Sequence, residues 1–298
     1  MMMRMTRRKF AALAGAALLT PPAHAQTDTA LVTRAIPSSG EHLPAVGLGT
    51  ARVFNSNDGA TRQKAVSVLQ ALIANGGRLV DTASTYGNAE VVLGEVMASA
   101  KLREKIFIAT KTEAPDDVEF KRSLVRLKTA KVDLLQLHNV SDARQSLAQF
   151  KEWKSQGLCR YIGITSTYHG DFAAVEAVLK REKPDFVQID YSLDNRFAEK
   201  RILPLAAEVK AGVLTALPFG RARLFRAVHG MEIPDWARTF AGSWAQFFLK
   251  YLLSDPRVTA AIPGTNNAAH MTDNLGAMRG PLPDPEQRRR MVAFVEAL

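Results

Sequence analysis

The chain has 298 residues, 47% hydrophobic and 23% charged, with a formal net charge of +10, six histidines and one cysteine. Those proportions exclude a disordered or collagen-like polymer and suit one globular domain with a full core. The basic residues are scattered, with no stripe of Lys and Arg interleaved with aromatics, so no nucleic-acid partner is expected.

Residues 1–25 differ in kind from the rest of the chain. Arg4, Arg7, Arg8 and Lys9 precede an apolar run over 11–19 that is too short to span a bilayer as a helix. Pro21-Pro22-Ala23-His24-Ala25 comes next, and its Ala-x-Ala ending fits cleavage before Gln26. Thr6-Arg7-Arg8-Lys9-Phe10 carries the paired arginines of a twin-arginine export signal; a general secretory signal or an uncleaved anchor is the alternative. The expectation is twin-arginine export machinery as a partner, a periplasmic location, and no stable membrane span after cleavage. Loss of 25 residues leaves 273, a length suited to one (β/α)8 barrel of roughly 250 residues. Four basic and no acidic residues leave with that segment, taking the formal charge from +10 to +6. The sole cysteine, Cys159, has no partner for an intramolecular disulfide and reads as a buried apolar residue.

Residues 33–44 alternate around Ser39-Gly40 and read as a hairpin able to plug one end of a barrel. Residues 45–50 form a first buried strand whose glycines admit another backbone or a ligand. An amphipathic helix over 61–75, with Ala65, Val68, Leu69 and Leu72 on one face, stops at Gly76-Gly77 before strand 79–81. The rhythm continues as helix 89–100 and strand 106–110, helix 116–128 and strand 132–137, helix 142–156 and strand 161–165. Helix 171–181 and strand 186–189, helix 199–210 and strand 212–216 come after them, then a longer insertion with helix 235–254 and strand 258–262. A last helix, 286–298, comes after Pro281-Leu282-Pro283-Asp284-Pro285, and its run Arg288-Arg289-Arg290 reads as a solvated face. Eight short apolar strands alternating with helices predict an α/β fold, a (β/α)8 TIM barrel spanning 26–298 with an N-terminal β-hairpin and a C-terminal helix. A doubly wound sheet is the structural alternative, but residues 47–52 lack the last glycine of a Gly-x-Gly-x-x-Gly turn.

Reactive residues gather at three successive strand ends: Asp81 with Tyr86 just beyond, Lys111, and His138. Taken alone, Asp81 also reads as a turn cap and Tyr86 as packing under a loop. Together they stand where such barrels carry active sites. A tyrosine titrates near 10, and a neighbouring ammonium lowers that value by stabilising the phenolate, so Lys111 is expected to make Tyr86 a proton donor. Buried ammonium needs a carboxylate partner, here Asp81. His138 can donate a hydrogen bond to a carbonyl oxygen. That is half of a carbonyl reduction; the hydride has to come from a cofactor.

The constellation, together with Gly47-Leu48-Gly49-Thr50, Asp81-Thr82-Ala83, Tyr86-Gly87, Leu135-Gln136-Leu137-His138-Asn139, Ile162-Gly163-Ile164-Thr165-Ser166, Gln188-Ile189-Asp190-Tyr191-Ser192 and Ile262-Pro263-Gly264-Thr265, resembles the aldo-keto reductase superfamily. The match runs over essentially the whole chain beyond residue 25. It implies reduction of a small-molecule aldehyde or ketone with NADP or NAD as cofactor, and Asp81, Tyr86, Lys111 and His138 as the catalytic tetrad. By position, Thr165, Ser166 and Gln188 would hold the nicotinamide carboxamide, and Thr50 and Asp81 would approach its ribose. Pro218, Gly220, Arg221 and Leu224 match the pyrophosphate loop, while Gly264, Thr265 and Asn266 match the adenosine-phosphate loop, with Asp273 and Asn274 near the adenine. His270 stands where many relatives carry an arginine for the 2′-phosphate, and Leu217 where many carry an aromatic stacked on the nicotinamide. The resemblance therefore implies weakened cofactor binding and leaves NADPH-versus-NADH preference open.

Metal chemistry finds no His-x-His or His-x-x-x-His pair; a retaining glycosidase would need two facing carboxylates, and the strand ends offer Asp81 and Asp190 at most, with Asp81 already expected to pair with Lys111. The rival from another class is a low-turnover exported barrel that acts as a nucleotide- or ligand-binding or sensing protein. Substrate choice is expected to rest on loops at 51–57, 114–117 and 221–233.

Overall fold

The structure is a computed structural model and describes residues 30–298; the expected export signal lies outside the described residues. Strand β1 (Thr33–Ala35) pairs antiparallel with β2 (His42–Pro44), and Gly40, at φ 76°, takes the left-handed position of the turn between them. Ile36 and Leu43 from this hairpin join the interior cluster of Leu79, Phe107, Leu134 and Tyr161. The hairpin thus seals the N-terminal end of the barrel, as the alternation of its residues suggested.

Eight parallel strands succeed it in chain order: β3 (Leu48–Gly49), β4 (Leu79–Asp81), β5 (Phe107–Thr112), β6 (Val132–Leu137), β7 (Cys159–Ser166), β8 (Phe186–Asp190), β9 (Gly212–Ala216) and β10 (Ala260–Ala261). Bridges Val46↔Ala261 and Gly49↔Gly264 join the last to the first, with the Gly49 N–H donating to the Pro263 carbonyl at 2.9 Å. The ring is closed. A side chain on Gly49 would put its Cβ 2.9 Å from the Ile262 carbonyl oxygen, so the seam requires a glycine there.

Strand period two sorts the side chains. Val80, Ile108, Leu135 and Ile164 face outward into the layer packed under the helices, whereas Leu79, Phe107, Ala109 and Leu134 fill the interior. The next inward positions toward the C-terminal end are Asp81, Lys111, Gln136 and Gln188, all buried. An apolar floor therefore carries a polar layer.

The outer layer is α1 (Gly59–Ala74), α2 (Ala89–Ser99), α3 (Asp117–Arg126), α4 (Ala148–Ser155), α5 (Phe172–Glu182), α6 (Phe197–Lys200), α7 (Ile202–Val209), α8 (Arg223–Ala227), α9 (Trp244–Leu253), α10 (Ala268–Gly276) and α11 (Pro285–Glu296). No helix of the described residues is long and apolar enough to cross a membrane.

Three expected helices are shortened or broken by local chemistry. Residues 142–147 do not join α4, because the Asp142 carboxylate takes the Arg144 N–H at 2.9 Å and so competes with the helical bond. The helix expected over 199–210 breaks at Arg201, and Pro204 explains the restart, since it lacks an N–H and suits only the first turn of α7. Of the helix expected over 235–254, only a short turn at Asp235–Ala237 and α9 form; Ser243 caps α9 by accepting from the Gln246 N–H at 3.1 Å. Helices α8 and α10 were not expected at all. Arg288 also corrects the reading of its run as a solvated face. It donates to Glu199 at 3.0 Å and lies 4.1 Å over the Tyr251 ring.

Candidate active site

Asp81 ends β4, Lys111 lies within β5, and His138 comes directly after β6, which brings the three into one polar layer. Lys111 Nζ donates to Asp81 Oδ2 at 2.6 Å and to the Thr82 carbonyl at 2.7 Å. Both side chains are almost wholly buried, at 1% and 3% exposure, so each charge depends on the other. Gln136 Nε2 donates to Asp81 Oδ1 at 3.4 Å and to Gln188 Oε1 at 2.9 Å, and Gln188 Nε2 donates to Asp81 Oδ2 at 3.3 Å. Two amides therefore help fix the carboxylate, Gln136 at Oδ1 and Gln188 at the Oδ2 that also accepts from the ammonium.

Tyr86 leans over this pair. Lys111 Nζ lies 5.1 Å from its ring centroid, and the Tyr86 and His138 rings meet edge to face at 5.7 Å. His138 Nδ1 lies 2.5 Å from Glu113 Oε1, and Thr85 Oγ1 donates to the same oxygen at 3.2 Å. Asp81, Tyr86, Lys111 and His138 all line one cavity of about 410 Å³. Proximity as expected from the sequence is thus met, but the net direction on the phenol is not. Burial pushes the Tyr86 hydroxyl above its ordinary value; the Lys111 ammonium pulls it down and is outweighed. The phenol is consequently fully protonated at neutral pH. Burial, then Lys111, holds His138 below its ordinary value, with Glu113 opposing.

Of the residues matched to the cofactor, Thr165, Gln188, Leu217, Pro218, Arg221 and Gly264 line the same cavity. Thr165 Oγ1 accepts from the Asn139 N–H at 3.0 Å, which leaves its hydroxyl proton free for a ligand. Thr265, His270, Asp273 and Asn274 line a second cavity of about 430 Å³. Phe219, Phe225 and Gly264 border both, so the two chambers adjoin along one cleft. Other expected contacts are turned elsewhere. Ser166 Oγ donates to Asp171 Oδ2 at 3.1 Å and caps its own turn instead of facing the cavity. Leu224 is buried in the core, and the Gly220 Cα packs against the Asp194 carboxylate, as an added Cβ would come within 2.5 Å of it. Thr50 is buried, with an Oγ1 that no group among the described residues satisfies, and Asn266 lies exposed on the loop before α10.

Sequence reasoning missed Glu113, Gln136, Phe219 and Phe225. The inward period of β6 pointed to Gln136, and Glu113 stands two residues beyond Lys111 on the same face. Nothing in the sequence marked the phenylalanines, Phe219 in the loop after β9 and Phe225 in α8, whose rings meet at 4.7 Å. Cys159 behaves as expected: it is buried, and burial pushes its thiol up to about 12, out of reach of nucleophilic chemistry.

The chain is similar to known proteins over most of its length. The sequence profile of the Aldo/keto reductase family matches residues 45–293. Over 258 residues the chain is 30% identical to methylglyoxal reductase YeaE of Escherichia coli strain K12, covering 82% of this chain and 88% of that protein. It is 27% identical to YqkF of Bacillus subtilis strain 168, an uncharacterized oxidoreductase, covering 82% of this chain and 90% of the relative. A crystal structure of an aldo-keto reductase from Klebsiella pneumoniae in complex with NADPH has a TM-score of 0.75 at 24% identity, covering 89% of this chain and 96% of that one.

Proposed function

The chain belongs to the aldo/keto reductase family, and from that premise we propose that it reduces an aldehyde or ketone to the alcohol at the Asp81, Tyr86, Lys111, His138 site, with NADPH or NADH as reductant. The cleft suits a dinucleotide. It has two adjoining chambers, a free hydroxyl proton at Thr165, and polar side chains from Thr265 to Asn274 at the far end. When bound, a reduced nicotinamide supplies the hydride. The NADPH complex of the structurally similar Klebsiella protein supports that choice.

The chain's own residues handle the proton and the oxygen. Tyr86 stays protonated until a carbonyl oxygen gains negative charge, then gives up its hydroxyl proton to that oxygen. The Lys111 ammonium, 5.1 Å from the ring centroid, stabilises the phenolate left behind. Asp81 keeps Lys111 charged and fixed. The observation that carries the reading is this buried ion pair beneath a protonated phenol at the wall of an open cavity.

Following NADPH oxidation with methylglyoxal, the substrate named for the Escherichia coli relative, is a direct test. Tyr86→Phe should lower kcat at least about a hundredfold, the range of general-acid catalysis, while the dinucleotide still binds. Equal rates in both proteins would sink the proposal and leave a binding protein. Export is a separate proposal resting on residues 1–25 alone. It requires a reporter fused to that segment to leave the cytoplasm only when the twin-arginine translocase is present.

A further inference from the structure

We infer that Glu113 is a positioning residue that keeps a proton on Nδ1 of His138, so that Nε2 can donate a hydrogen bond to a substrate carbonyl only when the imidazole carries both protons. The assignment goes deeper into the reductase site proposed above and rests on that reading for its kinetic consequence alone.

The geometry is one-sided. Glu113 Oε1 stands 2.5 Å from His138 Nδ1, and a carboxylate can only accept, so the hydrogen between them belongs to the imidazole. Thr85 Oγ1, donating to the same oxygen at 3.2 Å, anchors Glu113 in that pose. Among the described residues, Nε2 has no protein hydrogen-bond partner, and His138 lines the catalytic cavity. A neutral imidazole carries one proton. With that proton committed to Glu113, Nε2 presents a lone pair, which repels a carbonyl oxygen and welcomes a hydroxyl.

Four ionisable groups surround the ring: Asp81 and Tyr86 from the β4 end, Lys111 and Glu113 from the β5 end. Lys111 disfavours a second proton on His138, and both carboxylates favour it. The balance holds the imidazole below its ordinary value near 6.5. Carbonyl reduction should therefore be fastest in mild acid and should slow as pH rises through the His138 titration, long before Tyr86 ionises. Alcohols should bind in the opposite sense, better once Nε2 is a lone pair.

Glu113→Gln tests this, because a glutamine can turn its N–H₂ toward Nδ1 and allow the proton to move to Nε2. In the wild type, kcat/KM for methylglyoxal should fall about tenfold per pH unit above the His138 titration. In Glu113→Gln that slope should disappear, so that the variant outruns the wild type at pH 8. Superimposable pH profiles would overturn the inference. A second measurement needs no turnover: long-range ¹H–¹⁵N correlation of the imidazoles at pH 8, with His138 assigned by comparison with His138→Asn. The wild type should show the Nδ1–H form and Glu113→Gln the Nε2–H form. An Nε2–H form in the wild type would refute the positioning role, whereas Nδ1–H in a protein without reductase activity would uphold it and sink the reductase reading instead.

Discussion

Asp81 and Lys111 illustrate how a single ion pair can serve chemistry at a cost to stability. Each is buried and each is the other's counter-charge, 2.6 Å apart. Asp81→Asn should therefore destabilise the protein by about 3–5 kcal/mol, because it strands an ammonium in a cavity wall. The double variant Asp81→Asn with Lys111→Met should be more stable than Asp81→Asn alone, yet as inactive as Tyr86→Phe. Chemical unfolding of the four proteins in a double-mutant cycle checks this, and additive losses would contradict it. The convergence of Asp81, Tyr86, Lys111 and His138 was legible because strand ends in a barrel meet on one face, so that four residue types at three strand ends sufficed. The direction of the Tyr86 shift was not legible. It depends on how far the phenol is desolvated, a property of the loops that cover it and not of its neighbours in sequence.

Elements were readable where periodicity ruled and unreadable where side chains captured the backbone. Strands β6 and β9 fall on their expected limits, since unbroken apolar runs admit few other conformations. Helices failed where Asp142, Pro204 and Ser243 redirected hydrogen bonds, each acting over two or three residues. The loop after β9 is the sharpest case. Leu217, Gly220, Arg221 and Ala222 all have positive φ, between 53° and 66°, and only one of them is glycine. Non-glycine residues in that region cost roughly 1–2 kcal/mol each. Ala222→Gly should accordingly stabilise the protein by up to about 1 kcal/mol, offset in part by a more flexible unfolded chain. Gly220→Ala should do the reverse and more, because its Cβ would stand 2.5 Å from Asp194, the carboxylate paired with Arg223 at 2.8 Å. Urea midpoints of the two variants should move in opposite directions; a shared direction would refute the account.

At the scale of the whole molecule, the barrel is held by ties that join distant segments. Glu199 Oε1 accepts from Tyr191 at 2.5 Å, Tyr251 at 2.6 Å and Arg288 at 3.0 Å, so one oxygen links the residue just after β8 with α6, α9 and α11. Arg288→Ala should cost about 2 kcal/mol by leaving that carboxylate without its cation, whereas Arg289→Ala, at a side chain 71% exposed, should change stability by less than about 0.5 kcal/mol. Equal effects in thermal unfolding would mean that α11 is not fastened through Arg288. The three consecutive arginines looked alike in the sequence, and only the rotation of α11 against α9 distinguishes them.

Gly49 and Gly264 meet at the seam although more than two hundred residues separate them, and both border the cavity lined by Asp81, Tyr86, Lys111 and His138. A nascent chain leaving the ribosome can stack strand upon strand, yet its cylinder stays split until the last strand emerges. During that interval two raw sheet edges are open to wrong partners, including other growing chains. The cleft proposed to take substrate and dinucleotide straddles the split, so it is among the last parts of the molecule to take shape. No truncated product ending before β10 can hold a complete cavity wall, however well its earlier strands have folded.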